Sequence, residues 1–166
     1  GEIWIGGREV SGEPPERRIA HGVARTFQIP RPFAEMSVLE NLLVGAQRQH
    51  GERLFANFLA PGRVRREEKA SLDKARELLE FVTLSPLAHQ PARVLSGGQR
   101  KLLELARVLM ADPQVILLDE PAAGVNPALL EVLIERIVVL NGQGKSILLI
   151  EHNMEMVSRL CTRVVA

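Results

Sequence analysis

Cysteine, net charge and long apolar runs are what this sequence lacks, and each absence removes a class of protein. Cys161 is the only cysteine, so no disulfide can close within the chain, and this usage fits a reducing compartment. Lys and Arg number 21 against 20 Asp and Glu, a formal net charge of +1. That balance argues for neither nucleic acid nor a strongly acidic partner. No apolar run reaches the roughly 20 residues of a membrane-spanning helix, and no signal-peptide pattern opens the chain. Direct membrane insertion is therefore not expected, and membrane contact would go through another protein. Internal repeats and low-complexity tracts are also missing. The first residue is Gly1, not Met, as expected of a processed product, a tagged chain or a fragment.

What is present is enough for one domain with a real core. The 166 residues are 46% hydrophobic and 25% charged, as in an ordinary soluble protein. Glu2 to Val10 alternates around Gly6-Gly7, which predicts a hairpin. Pro14-Pro15 precedes a short helix over 16–20, and Val23 to Ile29 reads as a strand that carries Gln28. Ser37 and Glu40 have capping-box spacing and start a helix. Residues 47–66 are polar and mixed and read as a loop, with the basic cluster 63–66 at a helix entrance. Glu67 to Val82 carries Leu72, Ala75, Leu78, Leu79 and Val82 on one helical stripe. After a proline-bearing connector, Ser96 to Met110 is a helix ended by Asp112-Pro113. Asn126-Pro127 starts another, running to about Leu140. Ser146 to Ile150 is an apolar strand, 153–160 a short helix, and Arg163 to Ala166 begins a last strand. The order ends β-α-β-α-β, which implies right-handed crossovers and a parallel sheet.

The centre of the pattern is Val115-Ile116-Leu117-Leu118-Asp119-Glu120-Pro121. Four apolar residues bounded by prolines read as a strand buried on both faces of a parallel sheet. Asp119 and Glu120 then stand at its carboxyl end, where open α/β sheets place their chemistry. Alone, the pair would be an acidic turn. The second landmark is Leu95-Ser96-Gly97-Gly98-Gln99. Ser96 and Gln99 are spaced as a capping box, but two glycines suit a helix start poorly. They leave bare N–H groups at the positive end of a helix dipole, as anion binding requires.

LSGGQ, then VILLDEP, then LLIEH resembles the nucleotide-binding domain of an ATP-binding cassette (ABC) protein, over the whole chain. Arg25-Thr26-Phe27-Gln28, Arg31-Pro32-Phe33, Glu40-Asn41-Leu42 and Glu120 to Pro127 are similar to the ATPase subunits of bacterial branched-chain amino acid importers. The resemblance implies an α/β, P-loop NTPase-like (RecA-like) sheet core with an inserted helical subdomain and an N-terminal β piece. The expected division is 1–36 for the β piece and the strand to Gln28, 37–110 for the helical subdomain, and 111–166 for the α/β core. It implies that Gln28 and Asp119 hold Mg²⁺, that Glu120 is the general base or orients the attacking water, and that His152 contacts the γ-phosphate. Ser96, Gly97, Gly98 and Gln99 would meet the ATP of an opposite subunit, with Ala122 to Asn126 crossing the dimer interface. The implied partners are a second ATP-binding subunit and transmembrane permease subunits, with the chain cytoplasmic and peripheral on the inner membrane face.

The family's phosphate loop, G-x-x-x-x-G-K-[ST], does not occur. Gly144-Lys145-Ser146 lacks the earlier glycine and leads into a strand when it should follow one. The expectation is therefore of a truncated domain, with apolar surface of Val115–Leu118 or Ser146–Ile150 left open and little ATP binding by the chain alone. Two rival readings remain: a non-catalytic structural or regulatory module, and an ABC ATPase acting on nucleic acid or ribosomes.

Overall fold

The computed structural model describes residues 1–14, 17, 21–26, 30–46 and 61–165. Of the expected helix at 16–20 only Arg17 is described, and Gln28 and residues 47–60 of the expected loop lie outside the described residues. β1 (Trp4–Ile5) and β2 (Arg8–Glu9) pair antiparallel, with Trp4 opposite Glu9. Gly6 (φ +56°) and Gly7 (φ +79°) form the two-residue turn, which needs positive φ at both positions. A three-stranded parallel sheet follows, in the order β3 (Val23–Arg25), β4 (Val115–Asp119), β5 (Ser146–Ile150). β4 is the centre, so its carboxyl end is flanked by both neighbours.

Helices cover the sheet and build a second layer. α1 (Val38–Leu43) starts at the Ser37–Glu40 capping box, with both reciprocal bonds made. α2 (Pro61–Phe81) and α3 (Gly97–Leu109) pack against α1 and each other. Two 3₁₀ turns, Ser85–Leu87 and Ala92–Val94, make the proline-bearing connector. α4 (Pro127–Gly142) begins at the Asn126 cap, whose Oδ1 accepts from the Leu129 N–H, and packs on α3 and β5. α5 (Met154–Leu160) is capped by Asn153 and buries Met156. One core runs from Val38, Leu42 and Leu79 through Leu102 and Leu105 to Ile116, Leu118 and Ile137.

Several expectations are corrected. α2 starts at Pro61, six residues before Glu67, so Gly62 and the basic run 63–66 are its first turns and not loop. Proline pre-sets φ at the first helical position, and the stripe ending at Val82 holds the helix from its far end. Residues 161–165 form no strand: Val164 and Val165 are exposed and have no sheet partner, and β-branched residues make a strand only by pairing. α4 continues two residues past Leu140, to Gly142. β4 buries Ile116 and Leu118, while Val115 and Leu117 are half-buried, so only one of its faces is sealed. The expected open apolar surface is most exposed on β5, where Leu148 is 59% and Ile150 54% exposed.

The turn into β5 is held by Lys145. Its Nζ donates to Asp112 Oδ1 (2.9 Å) and to the Pro113 carbonyl (2.8 Å). The ammonium holds the Asp112 carboxyl below its usual range, through the hydrogen bond first and the charge second. A carboxyl depressed by folding contributes stability fully above its ordinary titration range, and that contribution fades as pH falls through the lowered value. Lys145→Met should lower the urea midpoint at pH 7 by a stability loss of about 1 kcal/mol or less, because Asp112 is largely exposed. The difference from the parent chain should shrink at pH 3.

Candidate functional site

Adjacent parallel strands bring the expected carboxylates to one rim. Asp119 is the last residue of β4, paired in register with Ile150 of β5. Glu120 follows at φ +45°, a left-handed conformation rare for a residue with a Cβ. Three backbone contacts hold it there. Its N–H donates to the Ile150 carbonyl (2.9 Å), and its carbonyl accepts from Lys101 Nζ (2.8 Å) and the Ala123 N–H (3.2 Å). Glu120 Oε1 lies 3.5 Å from His152 Nε2, and the imidazole is 85% exposed. Asp119, Glu120 and His152 are thus brought together across the ends of β4 and β5.

Three further residues stand at this rim that no motif points to. Arg25, at the end of β3, places Nη2 2.7 Å from Asp119 Oδ2. Lys101 lies on α3 among the site's carboxylates. Burial pushes its ammonium down from the ordinary lysine range, while Glu151, Glu120 and Asp119 oppose that shift. A signal existed: Lys101 is three residues after Gly98 and four before Leu105, on a face that is otherwise buried. Glu151 accepts three backbone N–H bonds, from Ala122 (2.7 Å), His152 (2.7 Å) and Asn153 (2.9 Å).

The LSGGQ segment makes its predicted capping box. The Ser96 hydroxyl accepts from the Gln99 N–H (3.3 Å), and Gln99 Oε1 accepts from the Ser96 N–H (2.9 Å). Ser96 and Gly97 face solvent beside Gly124, while Gly98 is buried. The two glycines therefore differ. A Cβ on Gly98 would stand 2.8 Å from Leu129 Cδ1 and 3.2 Å from Val125 Cγ1, so this glycine lets α3 close on α4. Gly98→Val should destabilise the chain by about 1–3 kcal/mol through overpacking, read as a lowered urea midpoint. The same change at Gly97, where only the Gly124 carbonyl lies within 4 Å of a Cβ, should cost less.

The donor set bears on the implied metal. Among the described residues, no group of three or more His, Cys, Asp or Glu could hold an ion. Asp119 offers one hard carboxylate already shared with Arg25. Mg²⁺ commonly takes one or two carboxylates and fills its shell with water and substrate phosphate. Asp119 fits the single-carboxylate share in a cation that arrives on a nucleotide.

The family model described as ABC transporter matches residues 1–123. The chain belongs to the ABC transporter family. A probable branched-chain amino acid transport ATP-binding protein LivG of Archaeoglobus fulgidus is 43% identical over 157 residues, covering 95% of this chain and 60% of the relative. LivG of Salmonella typhimurium, named a high-affinity branched-chain amino acid transport ATP-binding protein, is 39% identical over 165 residues, covering 99% and 65%. A crystal structure of the ADP conformation of an ATP-binding cassette superposes with TM-score 0.76 at 36% identity, over 96% of this chain and 63% of that one. This ABC chain therefore has the α/β parallel-sheet fold of P-loop NTPases. It spans 60–65% of the length of these curated relatives.

Proposed function

We propose that this chain is the part of an ABC importer's ATPase subunit that carries the hydrolytic carboxylate, and that the importer takes up branched-chain amino acids. The observation that supports it most directly is the Glu120–His152 pair at 3.5 Å, at the carboxyl ends of adjacent parallel strands. Phosphoryl transfer is catalysed mainly by alignment and charge neutralisation. Glu120 would accept a proton from the attacking water, or orient it. His152, exposed beside it, would donate to the γ-phosphate. Asp119 would take a water of the nucleotide's Mg²⁺, which neutralises charge on the phosphates when bound. Gln28 would complete this set.

Ser96, Gly97 and Gln99, at the start of α3, would face ATP held by a second subunit, with residues 122–126 between the two. Exposure of Ser96 and Gly97 beside Gly124 supports that reading. A permease would dock against the helical unit, for which 37–110 is the proposed extent, between a β piece at 1–36 and the core at 111–166. The subunit would then sit on the cytoplasmic face of the membrane; no helix among the described residues is long and apolar enough to cross one.

Calorimetric titration of this chain with Mg·ATP tests the division of labour. Without the G-x-x-x-x-G-K-[ST] cradle, affinity should be weaker than micromolar. Micromolar binding by the 166 residues would show that the phosphates are held elsewhere in the chain.

A further inference from the structure

Glu151 is a carboxylate at the rim that the proposed reaction does not use. Its two oxygens are divided between two pieces of chain. Oε1 accepts from the Ala122 N–H, at the start of the loop after Glu120. Oε2 accepts from the N–H groups of His152 and Asn153, where β5 gives way to α5. All three distances are 2.9 Å or less, as charge-assisted bonds to a carboxylate are. Glu120 touches the imidazole of His152 by its side chain at 3.5 Å and β5 by its backbone at Ile150, whereas Glu151 bonds the backbone of His152 and that of the loop together.

We propose that Glu151 is a positioning residue that couples the 122–126 loop to His152. A displacement of the loop is then carried through one rigid carboxylate to the backbone of His152, and the imidazole moves with it. The loop is suited to being displaced. Ala123 and Gly124 are exposed, and Gly124 holds φ +70° with nothing within 4 Å of a Cβ position. The significance of moving His152 rests on the proposed contact of that imidazole with phosphate. The coupling itself does not.

The test is made on this chain by NMR with no nucleotide present, so its outcome is separate from the proposed function. Glu151→Ala should speed amide exchange at Ala122, His152 and Asn153 together, on the order of tenfold or more, the loss of one hydrogen bond to a charged group at each. Acceleration confined to His152 and Asn153 would reduce Glu151 to a turn cap and overturn the proposal. The decisive readout is a double substitution. Gly124→Ala strains the left-handed turn and should shift the His152 ring resonances in the parent background. In the Glu151→Gln background, where one acceptor oxygen cannot hold both segments, that shift should fall to less than half. Equal shifts in both backgrounds would overturn the coupling, and this arm stands even if Glu151→Ala does not fold.

Discussion

Asn41→Leu should destabilise the chain by about 1–3 kcal/mol, a large share of the roughly 5–15 kcal/mol that holds a domain folded. The expectation comes from what the amide satisfies. Asn41 is fully buried on α1. Its Oδ1 accepts from the Phe33 N–H (2.9 Å), and its Nδ2 donates to the carbonyls of Phe33 (3.0 Å), Met36 (3.3 Å) and Ser37 (2.9 Å). Leucine fills similar space and satisfies none of these. Each stranded buried polar group costs about 1–3 kcal/mol. The Ser37 carbonyl keeps the Asn41 N–H, the Met36 carbonyl the Ala92 N–H and the Phe33 carbonyl the Met36 N–H, so the loss centres on the Phe33 N–H. The same segment accepts from Arg93 through Ala34, and therefore braces the 3₁₀ turn that leads to Ser96. Urea unfolding should show a lower midpoint at unchanged slope. A loss below about 1 kcal/mol would mean that water reaches Phe33 when the amide is removed.

The sequence made some of this architecture legible because local chemistry and tertiary packing agreed. The caps at Ser37, Ser96 and Asn126 are each a side-chain oxygen at a helix start, and each makes its bond. β4 and β5 could be read from apolar runs between turn residues, because a parallel strand carries no polar period to confuse. The start of α2 was not legible. Gly62 and the basic run resemble a loop, while Ala75 and Leu79 are buried in the far half of the same helix. Residues 163–165 failed in the opposite sense: high strand propensity without a neighbour to pair. At the rim, Asp119, Glu120 and His152 could be listed from motifs. Arg25, Lys101 and Glu151 could not, because their roles depend on which groups lie across a strand or helix from them. Asn41 likewise reads as one polar residue in a helix, and its four bonds exist only because the 33–37 segment folds over it.

Glu120→Gln should lower ATP turnover by about 10²–10⁴-fold, the range a positioned general base supplies, in a chimera that joins this chain to the remaining length of a LivG relative. ATP binding should change little. The geometry says why the two can be separated. Glu120 is fixed by its backbone, through Ile150, Lys101 and Ala123, and glutamine keeps all three contacts. What it loses is the carboxylate that faces water and His152 Nε2. Retention of more than a tenth of the turnover would place the base elsewhere. Glu120→Gly sharpens the argument. A non-glycine residue at φ +45° stores strain of about 1–3 kcal/mol, which glycine does not incur. Glycine should therefore leave the chain as stable or more so, while turnover is lost as completely as with glutamine. A variant that gains stability as it loses reaction would show that the left-handed turn is kept for the direction it gives the carboxylate. If glycine instead destabilised the fold, Glu120 would be holding the rim together through its side chain, and the catalytic reading of its conformation would fail.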